Sequence, residues 1–304
     1  MSAEQGPAVS DSSTTAAFGG LVILIGANLV AIRIGNRELP PLWHAGFRFL
    51  VAASLFWGIA LVRELARPTR SAAAGAALYG LLSFAAFFGF VYAGLVNASV
   101  GIATTTLALG PLITLGMAAA IGLERLQPSS VVGAVIAFCG IGVMYASALT
   151  GSVPLSSLAL LVAAACSFAA GGIVVKRTPP IDAVVQNGIA TTVGAVILVA
   201  LSIVAGEHIT LPERAETWVA FVYLVTFGTL LTFGLLLYLL HRWPASRVAY
   251  QFVLSPIVAI GLAAVLLGEP IEPAVAAGTG LVILGVWLGA LRPTPAAARS
   301  DQSG

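Results

Sequence analysis

From Ala17 to Leu291 the chain is written in long apolar runs separated by short groups of charged, proline and polar residues. A helix crossing a bilayer core of about 30 Å needs about 20 predominantly apolar residues, and the runs have that length. Cutting at the polar punctuation predicts ten helices, at 17–35, 41–63, 71–95, 98–122, 129–149, 154–175, 183–205, 217–240, 245–267 and 273–291. The expected fold class is an all-α polytopic membrane protein with ten transmembrane helices. The flanks, MSAEQGPAVSDSSTTA over 1–16 and PTPAAARSDQSG over 293–304, read as disordered tails. The first holds no Lys or Arg and precedes a run long enough to span the membrane, so a cleaved secretory signal is not expected.

Composition narrows the picture. The 304 residues are 59% hydrophobic and only 9% charged, whereas soluble domains carry about 25% charged residues. The 33 Gly and 16 Pro are spread through the apolar runs, as transmembrane helices tolerate. A net charge of +2 with no basic face excludes a nucleic-acid partner. Cys139 and Cys166 both sit inside apolar runs and read as small buried residues, so neither a disulfide nor a metal site is expected, and no cofactor.

Orientation follows from the basic residues. With cytoplasmic termini, the inner segments hold Arg63, Arg67, Arg70, Arg125, Lys176, Arg177, Arg242, Arg247, Arg292 and Arg299. The outer segments hold Arg33, Arg37 and Arg214, and Arg48 falls within a span. Cytoplasmic loops carry the Lys and Arg excess, so this asymmetry predicts both termini inside and an even number of spans.

The chain also repeats itself. PLITLGMAAAIGLERLQPSSVVGAVIAFCGIGVMY from Pro111 aligns without a gap on PIVAIGLAAVLLGEPIEPAVAAGTGLVILGVWLGA from Pro256. The identities include Pro111/Pro256, Glu124/Glu269, Pro128/Pro273, Gly133/Gly278 and Gly140/Gly285. A repeat of five spans is odd, so the second copy enters the membrane from the opposite face, which predicts inverted repeats with a site near the midplane between them.

Several pieces carry a likeness: GANLVAIR from Gly26, FRF from Phe47, VYAGLVNAS from Val91, the GP at Gly110, FGTLLTFGLLLYLLHRWPASR from Phe227 and SPIVAIGLAAVLLGEP from Ser255. In this order and spacing they resemble the drug/metabolite transporter superfamily, specifically the ten-helix proteins with two EamA repeats, with a further likeness to amino acid exporters of the YddG type. The resemblance implies a first EamA repeat at 17–149 and a second at 154–291. It implies export of small metabolites, amino acids foremost, across a bacterial inner membrane. The chain departs from the family pattern in one place, with Arg33 where a lysine is usual at the end of the first helix.

Ionisable groups at membrane depth are costly and are candidates for function by default. Every carboxylate lies in a tail, a loop or a span end, so no embedded acid offers itself for proton exchange. Glu124 and Glu269 then read as repeat markers on opposite faces, each ending one helix and opening the next beside a helix N-terminus. Arg48 lies about 12 Å into the second span at 1.5 Å per residue, and reads either as a snorkelling or carbonyl-bonded side chain or as a partner for a substrate carboxylate. His44, one turn earlier, shares its face and reads as a structural histidine or a proton carrier. Asn28 must satisfy its amide between helices or on substrate. Tyr79, Ser83 and Phe87 form one stripe of the third span, beside a second stripe of Phe84, Phe88 and Tyr92; packing and a cavity lining are both open. Tyr250, Gln251 and Ser255 approach Pro256 as cavity candidates, and Pro111 and Pro256 are expected to kink their helices and free carbonyls.

No catalytic residue is expected, because no convergent set of nucleophile, acid, base or metal ligands exists. The leading reading is an alternating-access exporter of aromatic or neutral amino acids working by facilitated diffusion, active as a monomer with membrane lipid and small-molecule substrate as partners. Proton-coupled antiport, exchange of phosphorylated metabolites and, more distantly, a lipid-acting membrane enzyme are the alternatives.

Overall fold

The computed structural model describes residues 12–122, 128–148, 154–240, 242 and 251–291. Glu124, Tyr250, residues 1–11 of the first tail and the whole 293–304 tail lie outside the described residues. All the regular structure among the described residues is helical. We number the helices α1 (Ser12–Gly35), α2 (Pro41–Val62), α3 (Arg70–Gly94), α4 (Val100–Ala120), α5 (Pro128–Ala148), α6 (Leu155–Arg177), α7 (Ala183–Val204), α8 (215–240), α9 (Gln251–Leu267) and α10 (273–291). Seven are long and apolar enough to cross a membrane, and α5, α9 and α10 contain shorter apolar stretches. Large apolar side chains such as Leu61, Val204 and Val265 point outward and are exposed, which suits a surround of hydrocarbon.

The predicted spans and these helices differ at a few points, each with a physical cause. Residues 12–16, expected in the tail, are helical. No Gly or Pro interrupts SSTTA, and the extension is supported by α8: Thr14 is buried, Ser13 Oγ lies 3.4 Å from the Tyr238 hydroxyl, and Ala17 and Phe18 pack against Leu21 and Leu239. In α4 the expected proline kink is a break: one segment ends at Leu107, a turn at Ala108 and Leu109 follows, and a new segment starts at Gly110. Pro111 is thus in the first turn of that segment, where its missing N–H costs nothing. Pro256 instead sits inside an unbroken α9.

Among the described residues three helices contain a wide π turn, Leu81–Ala86 in α3, Thr226–Leu231 in α8 and Trp287–Leu291 at the end of α10, and the first two are 145 residues apart. The same spacing separates the helix-starting prolines Pro128 and Pro273. Left-handed backbone recurs likewise, at Glu64 and Gly206 after α2 and α7, and at Gly122 and Gly268 after α4 and α9.

Packing has the same twofold character. α2 lies along α7, α5 along α10 and α4 against α9, each a pair of equivalent helices. The contact of α1 with α9 is matched by α6 with α4, and that of α3 with α6 by α8 with α1. The repeat-paired glycines explain the closest crossing. A Cβ on Gly133 would lie 2.4 Å from the Gly285 carbonyl oxygen, and one on Gly278 would lie 2.6 Å from that of Gly140. Small residues let α5 and α10 approach until their backbones touch, the usual source of helix association in lipid.

One end of the bundle is tied shut by carboxylates that each reach into the opposite half. Glu207, after α7, accepts hydrogen bonds from the Leu42 and Trp43 amides at 3.2 and 2.8 Å and so caps α2. Glu269, after α9, accepts from the Val100 amide at 2.9 Å and caps α4. Glu38, after α1, accepts from the Glu213 and Arg214 amides that lead into α8. Free N–H groups and the positive end of the helix dipole favour a carboxylate at each place. At the other end α3 and α7 are capped by their own residues, Thr69 to the Ala72 amide and Asp182 to the Val184 amide.

Glu269 is therefore more than punctuation, and the helix it caps is α4 rather than the following α10. Its carboxylate also lies 3.7 Å from Arg33 Nε, while Arg33 Nη1 donates to the carbonyls of Leu95 and Val96. One guanidinium thus joins α1 to the end of α3 and to the α9–α10 connection. Its forked donors explain how Arg serves here, since a compact ammonium could not reach all these groups at once.

Candidate functional site

A cavity of about 180 Å³ opens in the middle of the bundle and runs away from the tied end, between α1, α3, α4, α6, α8 and α9. Most of its wall is apolar and aromatic, with Phe87, Phe88, Phe168 and Phe233 prominent. Its polar lining is sparse: Asn28, Thr104, Thr232, Gln251 and Ser255, with the Gly228 backbone. A concave, mostly apolar pocket with a few placed polar groups is the ordinary form of a small-molecule site.

Arg48 stands immediately behind that wall. It is 1% exposed, and no carboxylate among the described residues pairs with it. Nη2 donates to the Thr229 hydroxyl at 3.0 Å, the Gly228 carbonyl at 3.2 Å and Asn28 Oδ1 at 3.4 Å; Nη1 donates to the Tyr92 hydroxyl at 3.2 Å and Nε to Thr229 at 3.3 Å. The rings of Phe49 and Phe88 lie 5.2 and 5.0 Å from the guanidinium carbon, close enough for cation–π attraction. The side chain neither snorkels outward nor lines the cavity.

The π turn of α8 prepares this cradle. Its extra residue breaks the regular bonding ladder, and the Thr229 hydroxyl donates to the Leu224 carbonyl at 2.8 Å, as Thr232 does to Phe227 at 2.7 Å. With its proton so used, the Thr229 oxygen turns lone pairs to Arg48. The Gly228 carbonyl accepts both from Arg48 and from Asn28 Nδ2, at 3.2 Å each. A side chain at 228 would displace the Asn28 amide from this cradle, because a Cβ would lie 2.4 Å from Asn28 Oδ1. In the other half the matching crossing of α6 and α3 reverses the sizes: Gly171 faces Ser83, whose oxygen would lie 1.9 Å from a Cβ at 171. One crossing carries the polar cluster and its counterpart is merely close-packed.

Of the residues singled out from the sequence, Asn28, Phe87, Gln251 and Ser255 line the cavity, whereas His44, Arg48, Tyr79 and Ser83 do not. His44 is fully buried near the tied end, with Nδ1 3.2 Å from Asn36 Oδ1 and its ring edge-on to Tyr92. The stripe expected of Tyr79, Ser83 and Phe87 is broken by the π turn between them, since residues four apart no longer stack across a wider turn. Ser83 consequently packs on α6, Tyr79 meets Phe84 edge-on, and Phe87 faces the cavity against Phe168. Pattern reasoning missed Thr229 and Gly228; the only trace is a glycine and a threonine placed together in an apolar run at FGTLLTF.

The EamA-like transporter family is matched twice along the chain, over residues 15–146 and 155–290. The chain belongs to this family. It is 30% identical over 279 residues to a protein of Salmonella typhimurium called a probable amino-acid metabolite efflux pump, covering 88% of this chain and 91% of that protein. It is also 30% identical over 274 residues to the inner membrane transporter YedA of Escherichia coli, itself uncharacterized, covering 90% of this chain and 89% of the relative. A solved crystal structure with 20% sequence identity superimposes with a TM-score of 0.63 over 97% of this chain, which shows a shared fold. The EamA protein described here is a multi-pass inner-membrane transporter, and its partners are a small-molecule substrate and the membrane.

Proposed function

We propose that this EamA protein exports neutral or aromatic amino acids, as a monomer, by alternating access between two inverted five-helix halves with both termini cytoplasmic. The observation that carries this reading is the central cavity: apolar and aromatic, with one polar wall backed by a guanidinium that no carboxylate among the described residues neutralises. Aromatic walls suit amino acid side chains, and the positive potential behind Asn28 and Gly228 suits a carboxylate. A relative named as an amino-acid metabolite efflux pump supports the same substrate class.

The tied end is then the periplasmic one, because its connections carry the few outer basic residues. The cavity faces the cytoplasm, in position to load cargo for export. No carboxylate stands among the described residues of its wall, which supports facilitated diffusion over obligatory proton exchange. Purified protein in liposomes is expected to carry labelled amino acid down its own gradient at rates within about twofold with or without a pH gradient. A strict requirement for that gradient would overturn uniport.

Release on the far side requires the trans-half caps to part. Glu269→Gln removes the charge that pairs with Arg33 and weakens the cap on α4, while leaving the side-chain size unchanged. With Cys139 and Cys166 replaced by Ala and Ile32, a fully buried cavity residue, replaced by Cys, a membrane-impermeant maleimide applied from the periplasmic side reports opening. Labelling is expected to rise about fivefold in the Glu269→Gln protein, as a shift of about 1 kcal/mol between two states gives. Equal labelling rates would show that this cap does not hold the outer end closed.

A further inference from the structure

We infer that Gln251 is a specificity-determining residue that reads an N–H donor on the cargo, and that with the Arg48-backed wall it makes the cavity selective for zwitterions. The inference deepens the exporter reading and rests on it. Gln251 opens α9, is 8% exposed and lines the cavity, and its Oε1 is buried with no hydrogen-bond partner among the described residues. A buried amide oxygen left unpaired is costly relative to the same group in water, so the site is incomplete until a donor arrives.

Two prominent donors of the wall are already engaged. Thr232 donates to the Phe227 carbonyl at 2.7 Å and Asn28 Nδ2 donates to the Gly228 carbonyl at 3.2 Å. Among the described residues no Lys, Arg or His lines the cavity. Among the described residues no donor reaches Oε1, so a donor carried by the cargo would complete the site.

The opposite pole has the opposite sign. On α1 and α8 the acceptors Asn28 Oδ1 and the Gly228 carbonyl are drawn onto the Arg48 guanidinium, at 3.4 and 3.2 Å, so the charge behind the wall is not cancelled by any carboxylate among the described residues. On α9 the wall offers a lone acceptor, with Ser255 one turn further along. A ligand with an ammonium at one end and a carboxylate at the other complements both poles, whereas a simple carboxylic acid or a simple amine complements one.

The test is competition in counterflow, with purified protein in liposomes and labelled phenylalanine as the reporter. The competitors are unlabelled phenylalanine, 3-phenylpropionate, which has no donor in place of the ammonium, and phenethylamine, which lacks the carboxylate. In the unmodified protein phenylalanine is expected to compete at least about tenfold better than either analogue, as loss of one hydrogen bond to a charged group gives. Gln251→Met keeps the volume and removes the acceptor; preference over 3-phenylpropionate is expected to fall to within about threefold, with preference over the amine retained. Gln251→Glu, which restores an acceptor and adds charge, is expected to recover or widen the first preference and so guards against a Met variant that folds poorly. Undiminished preference over 3-phenylpropionate in Gln251→Met would overturn the role of Gln251 while leaving the exporter reading intact; absence of counterflow with any amino acid in the unmodified protein would overturn both.

Discussion

Arg48→Met is expected to cut amino acid flux about tenfold to a hundredfold while leaving the melting temperature of the purified protein unchanged or raised. The guanidinium is 1% exposed and has no carboxylate partner among the described residues, so its burial is a net burden on folding that hydrogen bonds and two ring faces only offset. Of its three side-chain partners, the buried Tyr92 hydroxyl loses its bond and the other two keep theirs. Thr229 keeps its bond to the Leu224 carbonyl, and Asn28 keeps its bond to the Gly228 carbonyl. Replacement by an apolar side chain of similar length therefore removes an unfavourable burial, and what is lost is the positive potential behind the cavity wall. Arg48→Lys is expected to restore little flux, because one ammonium cannot reach Tyr92, Thr229 and Asn28 together. The matched readouts are flux per folded protein and thermal melting in detergent. A large fall in melting temperature with unchanged flux per folded molecule would make Arg48 a packing residue.

Gly285→Val is expected to abolish a folded, monodisperse protein. A Cβ at Gly285 would lie 2.4 Å from the Gly133 carbonyl oxygen and 2.6 Å from the Ala137 amide, and both of those atoms are backbone. Neither can rotate aside, so α5 and α10 must separate along their length. Overpacking costs about 1 to 3 kcal/mol when side chains can adjust, and backbone contact lies at or beyond the top of that range. Gly280→Val, on an exposed face of the same helix with nothing within 4 Å of its Cβ position, is the control and should purify like the unmodified protein. Size-exclusion chromatography of the two side by side separates a crossing defect from a general intolerance of Val in α10.

The sequence reading and the structure agree where the signal is local or repeated. Hydropathy runs mark the helices because hydrocarbon demands about 20 apolar residues per crossing, whatever the tertiary contacts. The Gly133/Gly278 and Gly140/Gly285 identities were visible as a repeat, and the structure adds the reason: all four lie at the α5–α10 crossing. What escaped is long-range or irregular. Thr229 is 181 residues from the arginine it holds, and no spacing rule connects them. The π turns shift the register within α3 and α8, so a stripe drawn at four-residue spacing through Tyr79, Ser83 and Phe87 passes over three different neighbours. Glu269 read as punctuation because nothing near it in the chain reveals that the Val100 amide and Arg33 lie within reach. Four of the eight described substrate-site candidates reach the cavity, and those that miss it do so because depth in a span does not specify which way a side chain turns.

In the proposed alternating-access cycle the trans-half caps would supply the closed face and the cavity the site that recognises cargo. Counterflow in liposomes tests this account most directly: vesicles containing the purified protein are loaded with an unlabelled amino acid and diluted into a trace of the labelled one, across the set of twenty. The account predicts transient accumulation of label for neutral and aromatic amino acids, without ATP or an imposed ion gradient. Its absence for all twenty, from protein shown to be folded and monodisperse, would contradict it.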